Sequence, residues 1–94
     1  MPIMRFALLS HAKLQAKERE INIKIIEETI SNPQQIVPEP KGLKVAQTKY
    51  IDKKENREYL IRVIFREEKD LRIGITAYKT SKVKKYWRQN ENQI

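Results

Sequence analysis

Residues 59–66, with the sequence YLIRVIFR, decide the fold of this chain because they carry its strongest strand signal. Apolar side chains recur at every second position, as in a strand that buries one face: Tyr59, Ile61, Val63 and Phe65. The intervening positions include Arg62 and Arg66. Because arginine is costly to bury, the sheet face that carries these two residues is expected to be open or occupied by a ligand.

Two further strands are predicted over residues 43–51 and 71–79, joined to the first by polar turns. Strict alternation in the last strand places four residues on the same face as Arg62: Arg72, Gly74, Thr76 and Tyr78. Gly74 lies in mid-strand and indicates a bulge or a close approach. Residues 36–42 contain two prolines, which cannot donate to a ladder, so this segment is predicted to be a loop or an edge strand.

Helices are predicted on both sides of the strand region. The first spans residues 10–18 and has Ser10 as its cap. The second follows the cap residue Asn22, carries a stripe of isoleucines and ends before Pro33. Ser81 is predicted to cap a short terminal helix. The predicted fold class is therefore α+β, with two N-terminal helices packed on a three- to four-stranded antiparallel sheet and a short C-terminal helix.

The composition limits the class of protein to which the chain can belong. The chain has 94 residues, which fit one domain, and no cysteine, so it has neither disulfides nor a thiolate metal site. No apolar run approaches the length of a membrane helix, and the first residues do not resemble a signal peptide, so a cytoplasmic protein without membrane contact is expected. The formal net charge of +8 predicts attraction to phosphate polymers or to an acidic protein.

Residues 76–88 concentrate this charge, with five cations, no acid and three aromatic rings. Cations bind phosphates and rings stack on bases, so nucleic acid, and RNA above all, is the predicted partner. Candidate phosphate-binding residues lie in this segment and on the arginine-bearing sheet face: Arg66, Arg72, Lys79, Lys82, Lys84, Lys85 and Arg88. Tyr86 or Trp87 is expected to anchor the terminal helix in the core.

Three side chains are candidates for RNA cleavage. Arg62 has the planar fork that suits a phosphorane, although it could instead pair with Glu58 or Glu67. Tyr78 could donate a proton, stack a base or simply pack at the sheet rim. His11, the only histidine, could act as a general acid or base or could be a packing residue. No metal and no cofactor is predicted.

Several segments resemble a known group of proteins. Residues 17–21 followed by a helix that ends at Pro33, Asn56-Arg57 ahead of an apolar strand, and residues 72–82 (RIGITAYKTSK) resemble segments of BrnT-type toxins, within the RelE-like toxin superfamily. Ser10-His11-Ala12 also resembles a related domain-of-unknown-function family. Tyr78 stands where BrnT-like toxins have a second arginine, and Asn56 replaces their turn glycine.

This resemblance implies a toxin of a type II toxin–antitoxin system that cleaves messenger RNA without a metal and is held inactive by a cognate antitoxin. It also implies a binding role for Arg57. A non-catalytic nucleic-acid-binding module of the same fold is the alternative, and a basic protein that meets only an acidic protein partner is a further one. The expected assembly is left open between a homo-oligomer and a hetero-oligomer with the antitoxin.

Overall fold

The computed structural model describes residues 4–89, which form an α+β fold with three α-helices and a five-stranded mixed sheet. The elements in chain order are β1 (Arg5–Leu8), α1 (Ser10–Glu18), α2 (Ile23–Ser31), β2 (Gln35–Pro38), a 3₁₀ turn (Pro40–Gly42), β3 (Lys44–Asp52), β4 (Arg57–Glu68), β5 (Leu71–Thr80) and α3 (Val83–Tyr86). The strand order is β1-β5-β4-β3-β2, so the strand predicted from residues 59–66 is central. The predicted fold class is right in outline, whereas the predicted strand number and wholly antiparallel sheet are wrong.

β1 is the strand that the sequence prediction missed. It has four residues and pairs in parallel with the first half of β5, with Arg5 opposite Leu71 and Leu8 opposite Gly74. A parallel neighbour must be reached by a crossover rather than by a hairpin. Nothing local to such a short segment indicates a partner that lies so far along the chain.

α2 begins and ends as predicted. The Asn22 side chain accepts a hydrogen bond from the Lys24 amide at 2.9 Å, which satisfies one of the free donors of the first turn. Ile26 and Ile30 are fully buried, and the helix ends at Ser31, just before Asn32 and Pro33. None of the helices within residues 4–89 is long and apolar enough to cross a membrane.

α1 borders the edge of β5 beyond the point where β1 ends. Its cap residue is Leu9 rather than the predicted Ser10, because the Leu9 amide donates to the Gly74 carbonyl and Ser10 is already helical. Further along, the Gln15 side chain accepts from the Ala77 amide at 2.9 Å, and Arg19 donates to the Ala77 carbonyl at 3.1 Å. These side chains satisfy main-chain groups that a bare sheet edge would leave unpaired.

The apolar core lies between the helices and one face of the sheet. It joins residues of both long helices to alternate residues of the strands: Ala16, Ile21, Ile26, Ile30, Ala46, Ile61, Val63, Phe65 and Ala77. The predicted buried face of β4 is therefore confirmed at Ile61, Val63 and Phe65. Arg62 lies on the opposite face, away from the helices.

A bulge in β5 reverses the alternation of its side chains. Ile64 is opposite Thr76, but the next residue, Phe65, is opposite Gly74, so Ile75 is the extra residue. Thr76 keeps the face of Ile64, whereas Gly74 and Arg72 are moved to the helix side. The prediction that Arg72 and Gly74 share a face with Arg62 is therefore wrong.

Gly74 is placed where the helix side of the sheet has no room for a side chain. A Cβ atom there would lie 2.7 Å from Cδ2 of Leu8 and 3.1 Å from Cδ1 of Ile30. We expect Gly74→Val to lower the free energy of unfolding by about 2–3 kcal/mol, because its methyl groups would overpack this junction. Gly74→Ala adds one atom and should cost less. Urea denaturation measures both losses, and a Gly74→Val variant as stable as the unchanged protein would contradict the close approach.

Candidate nucleic-acid interface

Four polar side chains form a row across the sheet face opposite the helices. The strand register aligns Gln35 of β2 with Gln47 of β3, Gln47 with Arg62 of β4, and Arg62 with Tyr78 of β5. We call these four residues the polar row. Residues aligned across neighbouring strands are close enough for their side chains to interact, so the register itself brings distant parts of the sequence together.

Arg62 is at the centre of the polar row and is only 6% exposed. Its Nε donates to Oε1 of Gln47 at 2.8 Å, and its Nη1 donates to the Tyr78 hydroxyl at 2.5 Å. Within residues 4–89, none of the ion pairs includes Arg62, so the alternative in which it pairs with Glu58 or Glu67 is wrong. Both of these hydrogen bonds go to neutral oxygens, so the positive charge of Arg62 has no carboxylate partner in this part of the chain, and such a charge attracts an anion.

The end of the described chain lies over the polar row. We call residues 83–88, which comprise α3, Trp87 and Arg88, the strap. Gln47 donates to the carbonyl of Tyr86 at 3.1 Å, while the Gln35 amide donates to the carbonyl of Arg88 at 2.8 Å and accepts from its amide at 3.0 Å. The expectation of an open or ligand-filled arginine face is therefore corrected, because a segment of the same chain covers Arg62.

Two aromatic rings of the strap contact cations of the sheet. The Tyr86 ring lies with its centroid 4.2 Å from the Arg62 guanidinium carbon, and the Trp87 ring lies 4.3 Å from Nζ of Lys49. Both rings are half-buried, and neither belongs to the core. They anchor the strap as predicted for one of them, but they do so on charged groups rather than in apolar packing.

Exposed cations flank these rings along the chain and on β3. The side chains of Lys82, Lys84, Lys85 and Arg88 are exposed, and Lys49 is exposed on the neighbouring strand. Lys82, rather than the predicted Ser81, is the residue before α3, and no side chain caps the helix. The strap thus presents half-buried rings among solvated positive charges, an arrangement that suits phosphates and flat bases.

The other predicted binding residues lie elsewhere. Arg72, on the helix side, donates to the Ile30 carbonyl at 2.9 Å and so closes the end of α2. Arg66 pairs with Glu68 at 2.9 Å. Arg57 is exposed at the start of β4, and Lys79 lies across the sheet from Tyr78, with its Nζ 4.6 Å from the Tyr59 ring. None of these four joins the strap.

Glu67 links two of the cations outside this surface. It accepts a hydrogen bond from Nζ of Lys44 at 2.7 Å and lies 3.7 Å from Nε of Arg72. The hydrogen bond from Lys44 is the main cause that holds the pKa of Glu67 below its ordinary value, and the nearby Arg72 charge adds to it. Arg72 is therefore partly neutralised in place and is poorly suited to hold a phosphate.

The three predicted catalytic residues do not form one constellation. Arg62 and Tyr78 are in contact, as described above. His11 is exposed on α1, a helix that lies on the opposite side of the sheet. The structure thus separates His11 from the other two, and the side chain that joins Tyr78 beside Arg62 is Gln47.

Gln35, Gln47 and Lys49 are the site residues that sequence reasoning missed. Gln47 and Lys49 stand two apart in β3 and so share a face, a pattern that indicates only a partly exposed strand. Gln47 is in fact fully buried. A polar side chain buried to this degree is retained where it has hydrogen-bond partners, and those partners lie on three other segments.

Comparisons with known proteins do not indicate a function for this chain. The chain matches no protein-family model, no curated protein and no solved structure. In the part of the chain that the structure describes, no three His, Asp or Glu side chains are placed to share a metal ion. Function is therefore inferred from the polar row and from the strap.

Proposed function

We propose that the protein binds single-stranded RNA on the surface formed by the strap and the polar row. One observation carries the proposal: two half-buried rings are flanked along the chain by exposed Lys82, Lys84, Lys85 and Arg88, and one of these rings lies over an arginine that has no carboxylate partner within residues 4–89. Lysine and arginine release counterions from phosphates, which supplies affinity without sequence preference. Rings stack on bases that are unpaired, which favours a single strand over a duplex.

Cleavage of that RNA, as by an endoribonuclease toxin, is the second candidate function. The contact between Nη1 of Arg62 and the hydroxyl of Tyr78 favours it, because it joins a fixed cation to a group that can carry a proton. The 2′-oxygen would attack phosphorus and lose its proton to water, the P–O5′ bond would break, and the 5′-oxygen would take up a proton from the Tyr78 hydroxyl, which solvent would then reprotonate. Arg62 would stabilise the charged phosphorane, and Tyr78 would deliver the proton.

The setting of this activity follows from the sequence resemblance. A cytoplasmic toxin of this kind would be held inactive by an antitoxin encoded beside it. The positive surface of the strap would attract an acidic segment of such a partner as well as RNA. A short reading frame next to the gene, encoding a DNA-binding motif, would favour this role over that of a binding module that cleaves nothing.

Salt-dependent binding tests the proposed function. Fluorescence anisotropy of a short labelled RNA should show binding that weakens steeply with salt, by about 0.7 in the logarithmic slope for each phosphate contact. A duplex DNA of the same length should bind more weakly, because its bases are not free to stack. The same mixture, incubated with a chelator and run on a denaturing gel, tests cleavage. Failure to bind RNA at low salt would overturn the proposal.

A further inference from the structure

The strap is attached to the sheet by side chains that hold its main chain. The Gln35 amide makes two hydrogen bonds to the main chain of Arg88, and Gln47 makes one to Tyr86. These bonds imitate the ladder that a further strand would form, but they come from only two side chains. None of the residues of α3 is buried. A segment held in this way, with its rings only half-buried, opens at low cost compared with the core.

The position of the strap controls access to Arg62. With the strap in place, the guanidinium faces Gln47, Tyr78 and the Tyr86 ring, and the residue is 6% exposed. In contrast, Lys82, just before the strap, and Lys84 and Lys85, on the strap, are exposed to solvent. A phosphate can therefore meet the lysines at any time, whereas it can meet Arg62 only after the strap has moved.

We propose that the strap is a detachable cover, and that RNA engages Arg62 only when the strap is released from Gln35 and Gln47. This inference rests on the proposed RNA binding and adds its regulation. RNA is first captured by the outer lysines and then takes the place of the strap on the polar row. Only open molecules can bind RNA at Arg62, so the apparent affinity for RNA equals the affinity of the open state multiplied by the fraction of molecules that are open. Loosening the strap therefore strengthens RNA binding.

Gln35→Ala is the variant that tests the cover. It deletes both hydrogen bonds to Arg88, together with the one that Gln35 accepts from Nε2 of Gln47 at 2.6 Å, and leaves every cation of the surface in place. Trp87 is the only tryptophan of the chain, so acrylamide quenching of its fluorescence reports directly on strap release. We expect faster quenching and RNA binding about fivefold to tenfold tighter, the change that the loss of two hydrogen bonds produces in the closing equilibrium.

Gln34→Ala is the matched control. In the unchanged protein, the Gln34 side chain accepts a hydrogen bond from the amide of Lys49 on β3 at 3.1 Å, and it makes none to the strap in the described part of the chain. Neither the quenching of Trp87 nor the RNA affinity should change in this variant. Circular dichroism establishes that both proteins are folded.

The outcomes separate the cover from the proposed function. If the unchanged protein binds RNA but Gln35→Ala binds it no tighter, or more weakly, release of the strap does not limit RNA binding and the cover is wrong. If quenching of Trp87 is the same in Gln35→Ala as in the unchanged protein, the glutamine does not hold the strap and the inference also fails. If the unchanged protein binds no RNA at low salt, the proposed function itself fails, and the cover over an RNA site falls with it.

Discussion

Replacing Lys82, Lys84 and Lys85 together by alanine is expected to weaken RNA binding by about 100-fold at 0.1 M salt. These three exposed cations, one just before the strap and two on it, are the main phosphate contacts of the closed protein. Three lost contacts on a single strand should also reduce the logarithmic salt slope by about 2. Anisotropy titrations of one labelled RNA over a series of salt concentrations measure both quantities.

The control for this triple variant removes the same charge from the other side of the molecule. Lys13, Lys17 and Lys24 are exposed on α1 and α2, so their replacement by alanine also lowers the net charge by three. We expect a change in affinity of only a few-fold, because the general field is weakened but no phosphate contact is lost. Equal losses in the two variants would contradict a binding surface located on the strap.

Arg62→Met is expected to reduce RNA cleavage by about 100-fold to 1,000-fold, the loss typical of removing a group that stabilises transition-state charge. Binding should weaken by less than about tenfold, because only one of several phosphate contacts disappears. Methionine fills a similar volume, so the fold should survive even though Oε1 of Gln47 and the Tyr78 hydroxyl lose a donor. Single-turnover cleavage of labelled RNA separates the chemical step from binding.

Arg5→Met is the control for Arg62→Met. Arg5 lies on the edge strand β1, where it is exposed and 3.6 Å from Asp70. Its replacement should leave the cleavage rate unchanged. If Arg62→Met cleaved RNA as fast as the unchanged protein, Arg62 would have no role in the chemistry. If the unchanged protein left RNA intact, the binding function alone would remain.

Local patterns in the sequence predicted the elements that depend on local physics. The alternation in residues 59–66 identified the central strand and its buried face, and Asn22 and Pro33 fixed the limits of α2. Gly74 was correctly associated with a bulge. In each case, the deciding interaction joins residues that are close in sequence or depends on the backbone preference of a single residue type.

Features set by distant contacts were missed. β1 exists because it pairs with β5, and the cap at Leu9 exists because its amide donates to Gly74. The bulge at Ile75 moved Arg72 to the helix side, and no feature of the sequence specified which residue would be the extra one. One added residue reverses every side chain beyond it, so a small error in register became a wrong assignment of a binding residue.

In the candidate site, too, features of single residues were predicted and contacts between distant residues were not. The sequence indicated Arg62, Tyr78 and the basic segment, because each is conspicuous by residue type. It did not indicate that Gln35 would hold the main chain of Arg88, a contact between residues 53 positions apart. It placed His11 with Arg62 by chemistry alone, whereas the fold puts the sheet between them. Chemistry can be read from residue types, but proximity depends on the register of the whole sheet.

Chemical-shift mapping by NMR tests the RNA surface most directly. The chain has a mass of 11.2 kDa, so the amide signals of individual residues can be followed while unlabelled single-stranded RNA is added at low salt. The largest changes are expected at residues 82–88 and at Lys49, followed by Gln47, Arg62 and Tyr78 as the strap is released. Changes confined to α1 and α2, or no change at saturating RNA, would contradict binding at the strap and the polar row.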